Sequence, residues 1–215
     1  MLWLQGWTSD IDKHYDGLIR MSNMSGVTFA MMETAGHGQH PVSLDDSTKD
    51  QQIAEVQYFY DFLNKEYENI IVVGGSFGGY LAGQLAVKSP AALVLRIPAI
   101  YDDREKDIPF GVLQDSDDYA ERWNQNVDHV LDSSLKPLSK YRGMVYVVRH
   151  ENDECIPRWI PDLYFRTAPR SNYLLVPTVG HWPRKAAEPQ KYYNYIEKMV
   201  TDIVGLEIMA KEKEL

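Results

Sequence analysis

The stretch that decides the fold is Ile70-Ile71-Val72-Val73-Gly74-Gly75-Ser76-Phe77-Gly78-Gly79-Tyr80. Four β-branched residues run into four glycines packed around one serine and one phenylalanine. Such a loop can cradle a phosphate, present a nucleophile, or be an ordinary tight turn. The phosphate reading fails on detail. Gly74 and Gly79 have the outer spacing of G-x-x-x-x-G-K-[S/T], but Tyr80 and Leu81 replace the lysine and the hydroxyl that hold nucleotide phosphates and Mg²⁺. G-x-G-x-x-G fails as well, because position 76 is serine. The pattern G-x-S-x-G fits: a serine on a sharp turn between a strand and a helix, flanked by small residues because the turn presses them against neighbouring backbone.

A serine hydroxyl is a poor nucleophile without a base, and the base needs an orienting group. An acid and a histidine are therefore expected downstream, in that order, each on a loop after a strand. Both occur. The run Met144–Val148 leads into Arg149-His150-Glu151-Asn152-Asp153-Glu154-Cys155-Ile156-Pro157, and Tyr173–Val176 leads into Pro177-Thr178-Val179-Gly180-His181-Trp182. The candidates are Ser76 as nucleophile, His181 as general base and Asp153 as orienting acid. Glu151, Glu154, Asp102 and Asp103 remain rivals for the last role.

Short apolar runs at Met1–Leu4, Val27–Met32, Ile70–Val73, Ala92–Ile97, Met144–Val148 and Tyr173–Val176 alternate with helical patterns. The helices are expected over Asp12–Met24, over a segment carrying Ile53, Val56, Tyr60 and Leu63 at helical spacing, and over Tyr80–Lys88, Pro161–Thr167 and Pro189–Val204. Ser47-Thr48-Lys49-Asp50 resembles a capping box with Asp in place of Glu. Near-continuous apolar strands separated by helices predict an α/β, doubly wound three-layer α/β/α sandwich with a mainly parallel sheet of about six strands. Residues 101–140 break this rhythm with acidic, strand-poor sequence and read as a small helical cap inserted in one domain spanning 1–215.

The chain has 215 residues, enough for one such domain. Its net charge of −9, from 22 basic and 31 acidic residues, argues against nucleic acid and anionic membrane as partners. A single cysteine, Cys155, rules out an intrachain disulfide and suits a reducing compartment. With no signal-peptide pattern and no long apolar run, the expectation is a cytoplasmic monomer or small homo-oligomer.

These motifs together resemble the α/β-hydrolase superfamily, and its small carboxylesterase-like members in particular. GGSFGG looks like the nucleophile elbow, NDECIP like D-x-x-[V/I]-P after the acid strand, and VGHW like the glycine–histidine segment after the last strand. Leu4-Gln5-Gly6-Trp7 resembles the oxyanion stretch, with Gln5 where histidine is common, and Ala35-Gly36-His37-Gly38 matches a G-H-G turn. The resemblance implies hydrolysis of a small-molecule ester through an acyl-enzyme, with no metal and no organic cofactor. It implies an oxyanion hole from the backbone N–H groups of Trp7 and Phe77. Trp7, Trp123 and Phe110 are substrate-contact candidates. Amide or peptide hydrolysis with the same triad, where the acidic Asp115, Asp117 and Asp118 would grip a free amine, thioester hydrolysis with that triad, and a non-catalytic binding role are the alternatives. His37 and His40 read as loop-holding residues, His150 as support for the acid loop, His14 and His129 as surface residues, and Cys155 as packing. The sheet opens at the oxyanion strand, so it is expected to be trimmed, with the 27–32 strand at an edge.

Overall fold

The apolar runs form one sheet in the computed structural model, which describes residues 1–7, 9, 11–12, 15–114, 135–182 and 189–212. Its strands are β1 (Leu2–Leu4), β2 (Ala30–Met31), β3 (Ile71–Gly75), β4 (Ala92–Arg96), β5 (Met144–His150) and β6 (Ser171–Val176). They lie in the order β2-β1-β3-β4-β5-β6, and every neighbouring pair is parallel. The strand alternation divides the interior into two cores. Leu2, Leu4, Val72, Leu93, Leu95, Val145 and Val147 face one side, and Trp3, Ile71, Val73, Val94, Tyr146 and Val148 the other. Both faces are covered, which is why these strands are apolar at nearly every position.

The first core is closed by α2 (Lys49–Leu63), α3 (Phe77–Gln84), α4 (Phe110–Gln114), α5 (Lys136–Lys140) and α6 (Trp159–Thr167). They contribute Val56 and Tyr60, Leu81, Phe110, Leu138, and Ile160 and Tyr164. The second core is closed by α1 (Tyr15–Ser25) and α7 (Pro189–Glu212), through Leu18, Met21, Ile196, Val200 and Ile203. A two-pronged Arg20–Glu197 ion pair, at 2.9 and 2.6 Å, joins these two helices. Among the described residues no helix is long and apolar enough to cross a membrane.

The strand order places the site. From β1 the chain steps outward to β2, then returns to the other side of β1 for β3 and proceeds to β6. The loops after β1 and β3 therefore leave adjacent strands and turn to opposite faces, which opens a crevice at the carboxyl ends of the strands. Gly6, after β1, and the Gly75–Ser76 turn, after β3, border it closely: a Cβ on Gly6 would stand 3.3 Å from the Gly75 carbonyl oxygen.

Several expected boundaries move. The N-cap of α2 is Thr48, whose hydroxyl accepts from the Gln51 amide, and not Ser47. Ser47 instead donates its hydroxyl to the Leu44 carbonyl at 2.8 Å, which leaves the capping position to its neighbour. Helix α3 starts at Phe77 rather than Tyr80, directly after the Ser76 turn, and narrows to a 3-10 segment over Leu85–Lys88. The final helix continues past Val204 to Glu212. Of segment 101–140, the described residues form a 3-10 turn (Asp103–Glu105) and the short helices α4 and α5. Residues 115–134 lie outside the described residues, and with them Trp123, His129, Asp115, Asp117 and Asp118; so does His14.

Candidate active site

Ser76 follows β3 with φ 53° and ψ −117°, a positive-φ conformation that non-glycine residues rarely occupy and that costs roughly 1–3 kcal/mol. Neighbouring backbone holds it there. The Ser76 amide donates to the Arg96 carbonyl at 2.9 Å, and the Ser76 carbonyl accepts from Ala99 and Tyr80, each at 3.1 Å. Two glycines make the turn sterically feasible. A Cβ on Gly74 would overlap the Gly78 carbonyl, and one on Gly78 would overlap the Leu4 carbonyl of the neighbouring strand. Gly75 is different: its nearest neighbour would be Arg96 at 3.8 Å. Phe77 is the first residue of α3, so its N–H has no acceptor within the helix and is available to an anion.

The acid and base loops are joined residue by residue. The His150 Nδ1 is 2.9 Å from the Gly180 carbonyl oxygen. The Glu151 amide donates to Val176 at 2.9 Å, and its carboxylate accepts from the Thr178 amide at 2.8 Å. The Asn152 amide donates to Val179 at 3.0 Å. Both Asp153 carboxylate oxygens lie 3.1 Å from His181 Nδ1. Glu154 accepts from the His181 amide at 2.8 Å. Five consecutive residues therefore hold one loop, and each of the neighbouring carboxylates has a separate partner. Asp102 and Asp103 are engaged elsewhere: Asp102 caps the 3-10 turn and pairs with Arg104, and Asp103 pairs with Lys106. Among these acids it is Asp153 that meets the His181 ring.

The Asp153 and His181 side chains are 4% and 7% exposed. Burial alone raises the Asp153 carboxyl and is the largest influence on it. The His181 hydrogen bond and charge, with the Ile156 and Cys155 amides, together outweigh that and hold it below the usual carboxylate range. Those two amides both reach Oδ1, at 2.8 and 2.9 Å, and fix the carboxylate facing the ring. A carboxylate so placed favours a proton on Nδ1 and leaves Nε2 of His181 as the basic nitrogen.

Trp7 follows β1, and its ring meets Phe77 edge-on at 5.3 Å and Phe110 at 4.3 Å. Phe77 also contacts His37, Tyr80 and Tyr101. The expectation that Phe110 touches substrate meets a correction. The side chain is wholly buried because it fills the core under Trp7 and Phe77 and lies under the Lys49 ammonium at 4.9 Å. His37 and His40 hold their loop: His37 Nδ1 lies 3.1 Å from both Thr34 Oγ1 and the Ala35 carbonyl, and His40 Nδ1 accepts from the Val42 amide while its Nε2 lies 3.6 Å from Glu55 on α2. Gln5 is buried, and among the described residues neither of its amide atoms has a hydrogen-bond partner.

Cys155, expected as a packing residue, is half-buried beside the acid and base. Its sulfur, an Asp153 oxygen and a His181 nitrogen all lie within 4.8 Å of one another, a donor set that could take a soft divalent cation. Sequence reasoning missed Arg96 and Tyr192, which reach His150 from behind the site. The one available signal for Arg96 was a cation ending an otherwise apolar strand.

No family model matches the chain. A monoacylglycerol lipase from Paleococcus ferrophilus superposes with a TM-score of 0.67 at 10% identity, covering 94% of this chain and 93% of that one. Est1E from Butyrivibrio proteoclasticus, in a structure with bound ferulic acid, gives a TM-score of 0.67 at 16% identity, covering 100% and 89%. Mouse alpha/beta hydrolase domain-containing protein 10 gives 0.63 at 16% identity, covering 94% and 89%. The chain has the α/β-hydrolase fold. In sequence, the human phosphatidylserine lipase ABHD16A is 27% identical over 135 residues. That match covers 62% of this chain, which spans only 23% of the length of that relative.

Proposed function

We propose that this α/β-hydrolase fold carries a serine hydrolase that cleaves carboxylic esters through an acyl-enzyme. The observation that carries the reading is the buried Asp153 carboxylate set 3.1 Å from His181 Nδ1, on the loops that follow β5 and β6. It stands with a serine held at positive φ after β3. Ser76 Oγ attacks the ester carbonyl as His181 Nε2 takes its proton, and Asp153 stabilises the imidazolium that results. The Trp7 and Phe77 amides hold the tetrahedral oxyanion, whose charge develops only in the transition state. His181 then protonates the departing alcohol. Water, activated by the same nitrogen, releases the acid and regenerates Ser76. Every step uses the chain's own groups and water.

Small soluble acyl esters are the first substrate class, with segment 101–140 as a cap over the site and the protein acting in the cytoplasm as a monomer or small homo-oligomer. The names of two relatives, a phosphatidylserine lipase and a monoacylglycerol lipase, favour a second reading in which the acyl group belongs to a lipid. A fluorophosphonate probe tests the chemistry. Wild type should label and Ser76→Ala should not; equal labelling of both removes Ser76 as nucleophile. A p-nitrophenyl ester series from acetate to palmitate, run beside aminoacyl anilides, separates the substrate classes. Turnover rising to the longest chains favours the lipid reading, and a preference for anilides overturns the esterase reading.

A further inference from the structure

Behind the site a chain of hydrogen bonds connects the two loops that carry the candidate nucleophile and base. Its directions follow from chemistry. Arg96 only donates, so its NH2, 2.7 Å from the Tyr192 hydroxyl, uses that oxygen as an acceptor. The His150 tautomer is fixed from the other end: the Gly180 carbonyl, one residue before His181, only accepts, so Nδ1, 2.9 Å away, carries the ring proton and donates to it. Nε2 of the neutral ring is then the bare nitrogen, and it accepts the O–H of Tyr192, 3.0 Å away. Of the two neutral tautomers of His150, the Nδ1–H form satisfies all three bonds.

The same Arg96 accepts the Ser76 amide through its carbonyl. Residue 96 thus grips the Ser76 turn with its backbone and the His181 loop, through Tyr192 and His150, with its side chain. The Arg96 guanidinium also lies over the Trp3 ring at 5.3 Å, which ties this brace to β1. His150 and Tyr192 are buried, so water does not compete for these bonds. The Asp153 contact orients the His181 ring but leaves the depth of its loop undetermined. The Gly180 carbonyl is held by His150 at the end of β5, which Tyr192 of α7 and Arg96 of β4 back in turn.

We propose that His150 is a positioning residue, held in the Nδ1–H tautomer by the Gly180 carbonyl and backed by Tyr192 and Arg96, which sets the His181 loop relative to Ser76. The catalytic part of this rests on the serine-hydrolase reading; the locked tautomer does not.

The experiment uses two substitutions of similar size and polarity. In His150→Asn the amide nitrogen takes the place of Nδ1 and still donates to Gly180. In His150→Gln the amide takes the place of Nε2 and faces Tyr192. Displacing a reacting group by about 1 Å costs about 100-fold, so His150→Gln should lose about 100-fold in kcat with KM within about threefold, and His150→Asn should recover to within about tenfold of wild type. Equal kcat in the two variants overturns the positioning role, as does a loss that falls on KM. Nitrogen NMR of the histidine rings in the wild type should show Nδ1 protonated and Nε2 bare on His150, and Tyr192→Phe, which leaves the Gly180 acceptor in place, should keep that tautomer and move the Nε2 resonance to that of a nitrogen without a hydrogen-bond donor. The opposite tautomer overturns the brace whatever the activity. If wild type takes no fluorophosphonate, the hydrolase reading fails by itself, and the ring spectrum still decides the brace.

Discussion

Lowering the pH should reveal the neutral ring of His150 as a stability term that one substitution removes. The ring is fully buried, and burial first, then the Arg96 charge, pushes it from 6.5 down to about 4. As pH falls below about 6.5, the unfolded chain binds a proton that the folded ring refuses, so folding weakens. The contribution is complete above about pH 6.5 and is lost progressively towards about pH 4. At about 1.4 kcal/mol per pH unit the full span is about 3 kcal/mol, of which about 2 kcal/mol falls between about pH 7 and about pH 4.5. Asp153, held below the usual carboxylate range, contributes above the unfolded carboxylate value and loses its share as pH falls through the folded one. His37, lowered mainly by burial, weakens folding in the same direction as His150. Both are common to wild type and His150→Asn, so the difference between the two proteins isolates His150. Urea unfolding of each at the two pH values should show wild type losing about 2 kcal/mol more than the variant. Parallel losses would refute the buried neutral ring.

Three further outcomes follow from the geometry. Asp153→Asn should lower kcat by about 10⁴-fold, whereas Glu154→Gln, which keeps an acceptor for the His181 amide, should stay within about tenfold; ester turnover of both variants checks it, and the reverse order moves the acid to Glu154. Gly78→Ala drives a methyl into the Leu4 carbonyl and should cost more than about 3 kcal/mol or abolish folding, while Gly75→Ala, whose methyl would make an ordinary contact with Arg96 at 3.8 Å, should change stability by less than about 1 kcal/mol in thermal unfolding. Thr48→Ala should cost about 1 kcal/mol through loss of the α2 cap, measurable by urea unfolding; no loss would mean that the Gln51 amide finds water instead.

What the sequence determined by itself was whatever short-range chemistry dictates. The β-branched runs became strands because both faces of each are buried, and the glycines around Ser76 marked a turn that admits no Cβ at 74 or 78. The order of serine, acid and histidine placed each at the end of its own strand. Tertiary structure alone decided which acid meets His181. The D-x-x-[V/I]-P resemblance pointed to Asp153 but left Glu151 and Glu154 as rivals, and the register between the two loops sends Asp153 to the ring and the others to backbone amides. The same applies to Arg96, Tyr192 and Phe110. Their partners lie far along the chain on separate elements, so periodicity could mark them as buried or charged but could not reveal what they touch. Long-range packing, not local propensity, converts the elbow read from GGSFGG into a site whose serine and histidine loops are held from behind by Arg96.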